Sequence, residues 1–424
     1  MITFLKRHKA ELFPNSLISI FMLSISFFII SLFLPVNFNS LGVGLLGIAW
    51  LVSNPFKNFL IKVKANRLGL FFILFYFLHA LGLLYTANME YGGKELEYKL
   101  SLLLIPLFLS TGPKLGEVHT SFILRTFYIA LLLAIGMGIF IAFNSFFTHP
   151  DPQPLINYLT YRNFSTPIGF DPIYLALFIV FGIFAYLSEH IISPDFQIRK
   201  LSPVSIIILL TLFTTLIFLS SRMEILVFIV CVFALSLYYF IQTKKWKTPL
   251  MVAIVIPLFA YFLISINTVN KERFTEMVDL ETDYTENKWG GRSIRIEKWK
   301  NAIECIVRSP IIGVGTGDTI DELVKIYEKN KFDLAIQYRF NPHNQYLQTT
   351  IALGILGLSA LLLIFVLMFL RGYNSEDWML MIFVLVVTMS MLTESMLERQ
   401  KGLVFIVFFS MLLWNRKLIP PSRS

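Results

Sequence analysis

Twelve apolar runs, each parted from the next by a polar connection, govern what this 424-residue chain can fold into. They fall at roughly 16–34, 38–53, 68–85, 99–110, 120–145, 169–188, 204–220, 222–241, 249–266, 347–370, 377–393 and 402–415. A run of ~20 apolar residues is long enough to cross a bilayer. In lipid no water satisfies the backbone, so each run must close its own hydrogen bonds as a helix. Composition agrees: 56% of residues are apolar, Phe occurs 42 times and 15% are charged, against about 25% charged in a soluble domain. These values exclude a soluble globular enzyme, a disordered chain and a disulfide-rich secreted domain. The expected fold class is an all-α polytopic membrane protein with twelve transmembrane helices.

The net charge of +9 reads first as topology. With the N-terminus inside and the runs alternating, the inner segments carry 17 basic residues, among them Lys6, Arg7, Lys62, Arg67, Lys244, Lys245 and Arg371. The short outer segments carry six: Lys94, Lys99, Arg162, Arg222, Arg399 and Lys401. This bias puts both termini in the cytoplasm and accounts for the basic balance without nucleic acid. Arg125, near the inner end of its run, is expected to snorkel. The first run follows Lys6, Arg7 and Lys9, exceeds a signal-peptide core and lacks a small-x-small cleavage site, so it reads as a retained span. Cys231 and Cys305 show no metal-ligand spacing and are expected to form neither a disulfide nor a zinc site.

Three segments follow: spans one to nine over 1–266, one large helical outer loop over 267–346, and spans ten to twelve with a cytoplasmic tail over 347–424. The loop holds most of the unusual residues. Arg292, Arg295 and Trp299 are three and four apart and share a helix face. Trp299, Ala302, Ile303, Ile306 and Val307 form an apolar stripe, ended by Pro310 and Gly313. Composition alone makes this an interfacial helix with solvated arginines. The run Gly313-Val-Gly315-Thr-Gly317-Asp318 lacks the Gly-Lys-Ser/Thr ending of a phosphate loop and follows a helix. A tight turn packing the loop onto the spans is expected instead, with Asp318 capping the next helix.

His343 stands at the outer mouth of the tenth span, beside the amides of Asn344 and Gln345. A lone histidine is usually structural, yet its titration near neutrality suits a proton acceptor. Ser221-Arg222 lies in a connection of a few residues between two long runs, on the side that topology disfavours for arginine. Arg222, Arg295 and His343 therefore fall at one membrane face. Two guanidinium forks match phosphate oxygens. A base beside them suits group transfer from a lipid pyrophosphate, whose leaving-group charge grows in the transition state. The other histidines are scattered, no Asp-x-Asp pair occurs, and the first outer loop has no acid. A reaction without metal is the expectation.

The ordered set of Ser221-Arg222, Arg295-x-x-x-Trp299-x-x-Ala302, Pro310-x-x-Gly-x-Gly-x-Gly317, His343-Asn-x-Tyr-Leu347 and Gly354-x-x-Gly357 resembles the O-antigen ligase and polymerase superfamily of bacterial envelope enzymes. The resemblance is specific over about 220–360, and the twelve-span layout with one large loop before the tenth span is similar over the whole chain. It implies a C-type glycosyltransferase fold in the bacterial inner membrane, with its site facing the periplasm. It implies a glycan donor on undecaprenyl pyrophosphate, inversion at the anomeric centre, and no cofactor, metal or ATP. By position, Arg222 and Arg295 would bind the pyrophosphate and His343 would activate the acceptor hydroxyl. Arg292, Asn344, Tyr346 and Glu394 are candidate supporting residues; Glu394 reads equally well as an ordinary interface residue. Leu353 stands where members often carry an acid, which leaves the subgroup open. The first choice is a lipopolysaccharide ligase acting on lipid A–core. A polymerase of the same superfamily and a protein O-oligosaccharyltransferase remain as rivals. A transporter or flippase fits less well, since internal charges are few and the two halves are unlike.

Overall fold

The computed structural model describes residues 1–53, 56–193, 197–266 and 292–416. Twenty α-helices run through them in order. They are α1 Ile2–Leu12, α2 Ser16–Ser31, α3 Val36–Val52, α4 Phe59–Ala65, α5 Arg67–Gly82, α6 Met89–Lys99, α7 Ser101–Thr111, α8 Glu117–Thr148, α9 Leu155–Tyr158 and α10 Tyr161–Ser165. Then come α11 Pro172–His190, α12 Pro203–Phe218, α13 Arg222–Thr243, α14 Lys247–Ser265, α15 Arg292–Arg308, α16 Thr319–Lys329, α17 Asp333–Tyr338, α18 Gln345–Asn374, α19 Trp378–Ser390 and α20 Gln400–Asn415. Each of the twelve apolar runs coincides with one helix. Among the described residues, five helical segments are long and apolar enough to cross a membrane: Arg67–Tyr85, Glu117–Thr148, Pro172–His190, Arg222–Thr243 and Gln345–Asn374. Shorter apolar helices accompany them, and the chain reads as a multi-pass membrane protein.

The helix starts are written in the sequence. Asn15, Asn66, Asp171, Ser202 and Asp377 accept hydrogen bonds from first-turn amides, and Pro172 and Pro203 open α11 and α12 where no donor is needed. α11 is the central helix, buried along most of its length. Phe178 stacks on Phe405 at 4.5 Å, and Phe181 and Phe127 meet Phe409 at 4.6 and 5.0 Å, which joins α8, α11 and α20. Close ring packing matters here because lipid offers no hydrophobic drive between helices. Arg125 departs from expectation. Its Nε bonds Glu189 Oε2 at 2.9 Å and its guanidinium lies over the Phe4 ring. A buried anion was within reach, so the side chain pairs instead of snorkelling.

The described part of the 267–346 loop builds a small core of its own from Ile294, Ala302, Cys305, Leu323, Ile326, Tyr327 and Ala335, closed by Ile351 of α18. The apolar stripe expected on α15 is half right. Ala302 is buried, but Ile303 and Val307 are 53% and 71% exposed, and the inward face is Ile294, Lys298, Asn301, Ala302 and Cys305. Hydropathy pointed to Ile303 and Val307, whereas the core needed small residues that let α15 approach α16.

This loop is bonded to a break in α18. Gly354 interrupts that helix with φ +62°, and the freed backbone finds partners in the glycine-bearing turn. Val314 N donates to Ile351 O at 2.8 Å, Gly315 N to Ala352 O at 3.0 Å and Ile355 N to Pro310 O at 2.9 Å. A Cβ on Gly354 would overlap the Ile311 carbonyl, and one on Gly313 would overlap the Ala352 backbone. The expected tight turn onto the spans is therefore present. Asp318 differs from expectation: its side chain makes no cap bond within α16. Its two carboxylate oxygens instead accept from Ala87 N and Asn88 N, each at 2.7 Å, tying the loop to the α5–α6 connection.

Gly354→Ala should therefore destabilise the folded protein by at least about 3 kcal/mol, combining left-handed strain with backbone overlap. Gly93→Ala, on an exposed face of α6 with open space around it, should be neutral or stabilising by up to about 1 kcal/mol. Thermal unfolding of the two variants in detergent checks the contrast.

Candidate active site

His343 sits on a turn just before α18 in the left-handed region, with φ +46°. Such a conformation in a non-glycine residue persists only where the surroundings fix it. Three contacts do so. His343 N donates to Asn341 Oδ1 at 3.0 Å, Trp299 Nε1 of α15 donates to Pro342 O at 3.0 Å, and Phe340 packs edge-on to the imidazole at 6.4 Å between ring centroids. The imidazole is one-third exposed, so its outer edge is reachable.

Its Nδ1 lies 3.1 Å from Glu394 Oε2, on the segment between α19 and α20. Glu394 is 7% exposed. Burial opposes its ionisation, but the His343 hydrogen bond and the charges of His343, Arg295 and Arg399 outweigh that, holding its carboxyl below the usual range. Arg295 is thus a near neighbour of the His343–Glu394 pair. Lys298, one turn on along α15, places its ammonium 3.8 Å from the Phe340 ring centroid. Arg295, Lys298 and Trp299, at i, i+3 and i+4, present one face of α15 to the His343 turn.

The expected supporting residues prove to be ties between the start of α18 and the Glu394 segment. Asn344 Oδ1 accepts from Leu347 N as the α18 cap, and its Nδ2 donates to Leu392 O at 2.9 Å. Tyr346 Oη donates to Thr388 O at 2.7 Å, and Gln345 Oε1 accepts from Leu397 N at 2.7 Å. Asn344 is spent on backbone, and Gln345 on the Leu397 amide and the Thr349 and Glu398 side chains, so neither orients the imidazole directly. Next to them lies an ion cluster that no spacing or motif announces. Lys99 Nζ meets Glu95 at 2.6 Å and Glu398 at 2.7 Å.

Arg222 opens α13, half-buried, after Ser220 at φ +51° and the buried Ser221. Two residues on, Glu224 is fully buried beside Ser390 and Glu394. Arg222 therefore belongs to the same end of the bundle, while His343, Glu394 and Arg295 form the tighter group. The Arg292 side chain lies outside the described residues. Among the described residues no set of three His, Cys, Asp or Glu side chains gathers to hold a metal ion. Chemically, the arrangement offers a histidine with one nitrogen committed to a carboxylate and the other open, next to guanidinium charge. That can take a proton while an anion is held.

Lys298 and Glu224 were missed. The spacing from Arg295 could have flagged Lys298; Glu224 carried no signal beyond its nearness to Arg222.

Because its carboxyl is held low, Glu394 contributes stability that is present above the ordinary glutamate titration and lost as pH falls through its lowered value. Glu394→Gln should melt below the wild type at pH 7, and the gap should begin to narrow at about pH 4, where a free glutamate protonates, and close below the lowered native value. Melting curves of both proteins from pH 7 to pH 3 check this; a gap independent of pH would contradict it.

No curated protein matches the chain. The O-antigen ligase family model matches residues 207–362, the stretch that carries Arg222, Arg295 and His343. Over that segment the chain is similar to the O-antigen ligase family, which supports the O-antigen ligase superfamily.

Proposed function

We propose that the protein is an envelope glycan ligase, moving a glycan from undecaprenyl pyrophosphate to a sugar hydroxyl of lipid A–core at the periplasmic face of the inner membrane. The observation that carries the reading is the His343–Glu394 pair beside Arg295, at the membrane end of a chain whose 207–362 segment matches the O-antigen ligase family. The topology belongs to the same proposal. Twelve spans with both termini cytoplasmic put Arg222, His343 and the 267–346 loop outside, and the excess of basic residues on the inner segments supports it.

In this reading the acceptor oxygen attacks the anomeric carbon as the bond to the diphosphate oxygen breaks. The diphosphate leaves with the bonding pair and the anomeric centre inverts. Glu394 accepts from Nδ1–H of His343, which fixes the tautomer and leaves Nε2 as the base that takes the hydroxyl proton. The guanidiniums of Arg222 and Arg295 hold the diphosphate and take up its growing charge without a metal ion. The acceptor is the least specified part, since the shared motifs concern the donor.

A lipopolysaccharide gel of a deletion strain tests the assignment. Loss of every band above core, with lipid-linked polymer accumulating, is the expected result. Core capped by one repeat would mark a polymerase, and an unchanged ladder would exclude both acceptors. Complementation with His343→Ala should fail although the protein folds and inserts, with transfer down about 10²–10⁴-fold; near-normal activity would sink the general-base role. Arg222→Lys should also be severely impaired, because a point charge cannot copy a bidentate fork.

A further inference from the structure

Lys298 is out of place as a structural cation. Its side chain is 5% exposed, in the inward face of α15. Among the described residues it has neither a salt-bridge nor a hydrogen-bond partner; its ammonium rests only on the Phe340 ring, 3.8 Å from the centroid. An aromatic face replaces part of the hydration lost on burial, and an unpaired buried charge keeps the rest of the penalty. Such a group normally pairs or is replaced by an apolar residue. Yet Lys298 stands three residues from Arg295 on the same helix face, and Phe340 also packs on His343. The one anionic side chain acting on it is Glu394, which already serves His343. Lys298 thus has no anion of its own, beside Arg295 and the histidine turn where the transfer reading places the donor's diphosphate. Burial and the like charge of Arg295 draw the Lys298 amine down to about 7, against a smaller counter-pull from Glu394. An arriving anion reverses that pressure.

We propose that Lys298 is a third anion-binding side chain of the site, contacting the diphosphate of the lipid donor beside Arg295. The inference rests on the transfer reading above for the identity of the anion. It differs from that reading in giving a direct binding role to a residue outside the Arg222–Arg295–His343 set.

The test uses the purified full-length protein in detergent, with farnesyl diphosphate as the probe and thermal unfolding as the companion measurement. Lys298→Met keeps the length and removes the charge. It should weaken probe binding by about 10- to 100-fold, the size of one charge-assisted hydrogen bond. Its Tm without probe should be unchanged or higher, because an unpaired buried charge has been removed. Lys298→Arg should recover a substantial part of the affinity. Lys298→Met binding as tightly as a wild type that does bind would overturn the assignment and leave the transfer reading standing. Affinity lost together with a lowered Tm would mark a structural cation and also overturn it. A wild-type protein that does not bind the probe would overturn both.

Discussion

The break in α18 at Gly354 is the constraint on which the arrangement of the His343 end of the bundle depends. A helix interrupted inside a membrane protein must have its freed amides and carbonyls satisfied by protein. Here the partners come from Pro310 to Gly315, so the loop is bonded to the span and not merely tethered to it. Left-handed Gly313 and Gly315 give this turn its shape. Thr316 Oγ1 then donates to His79 O at 2.7 Å, and Tyr85 Oη donates to Ile312 O at 2.6 Å, fixing the same turn to α5 and the segment after it. With the turn immobilised, α15 has one position available to it. That position turns Arg295, Lys298 and Trp299 toward His343.

A second consequence is electrostatic. Asn344, Gln345 and Tyr346 fasten the beginning of α18 to the segment from Thr388 to Leu397, which brings Glu394 under His343. The Lys99–Glu95–Glu398 cluster sits beneath, and Gln345 Nε2 donates to Glu398 Oε1 at 3.3 Å, so ion cluster and histidine turn share a connection. The polar layer is therefore continuous, from α6 through the α19–α20 segment to the loop. Arg295 and Arg399 act on Glu394, which His343 hydrogen-bonds, with Lys298 nearby. Fixed positive charge in a partly dry site suits a diphosphate better than a neutral sugar.

Much of this was legible in the sequence, for physical reasons that differ from element to element. The apolar runs were readable because lipid leaves the backbone no alternative to a helix. Arg295 and Trp299 were readable as one face from their spacing, and the glycine turn from the absence of a phosphate-loop ending. The inward face of α15 was misjudged because hydropathy ranks Ile303 and Val307 above Ala302 and Cys305, whereas close approach of two helices selects small residues. Asp318 looked like a cap because Asp before a helix usually is one; nothing local announces that the Ala87 and Asn88 amides compete for it. The His343–Glu394 contact joins positions 51 apart in sequence. Glu394 could be named as a candidate from its place near a span end, but its partner could not be deduced without the fold. Lys298 was passed over because a lysine on an amphipathic helix ordinarily faces water.

The central claim is that this end of the bundle transfers a glycan off a lipid diphosphate using protein side chains for both charge and proton. The most direct measurement incubates the purified protein, in the presence of EDTA, with a glycan-loaded undecaprenyl pyrophosphate donor and a lipid A–core acceptor. The account predicts glycosylated acceptor and free undecaprenyl pyrophosphate appearing in a one-to-one ratio, at a rate that the chelator leaves unchanged. Turnover that collapses with EDTA and returns on adding a divalent metal, or donor cleavage with no acceptor product, would contradict it.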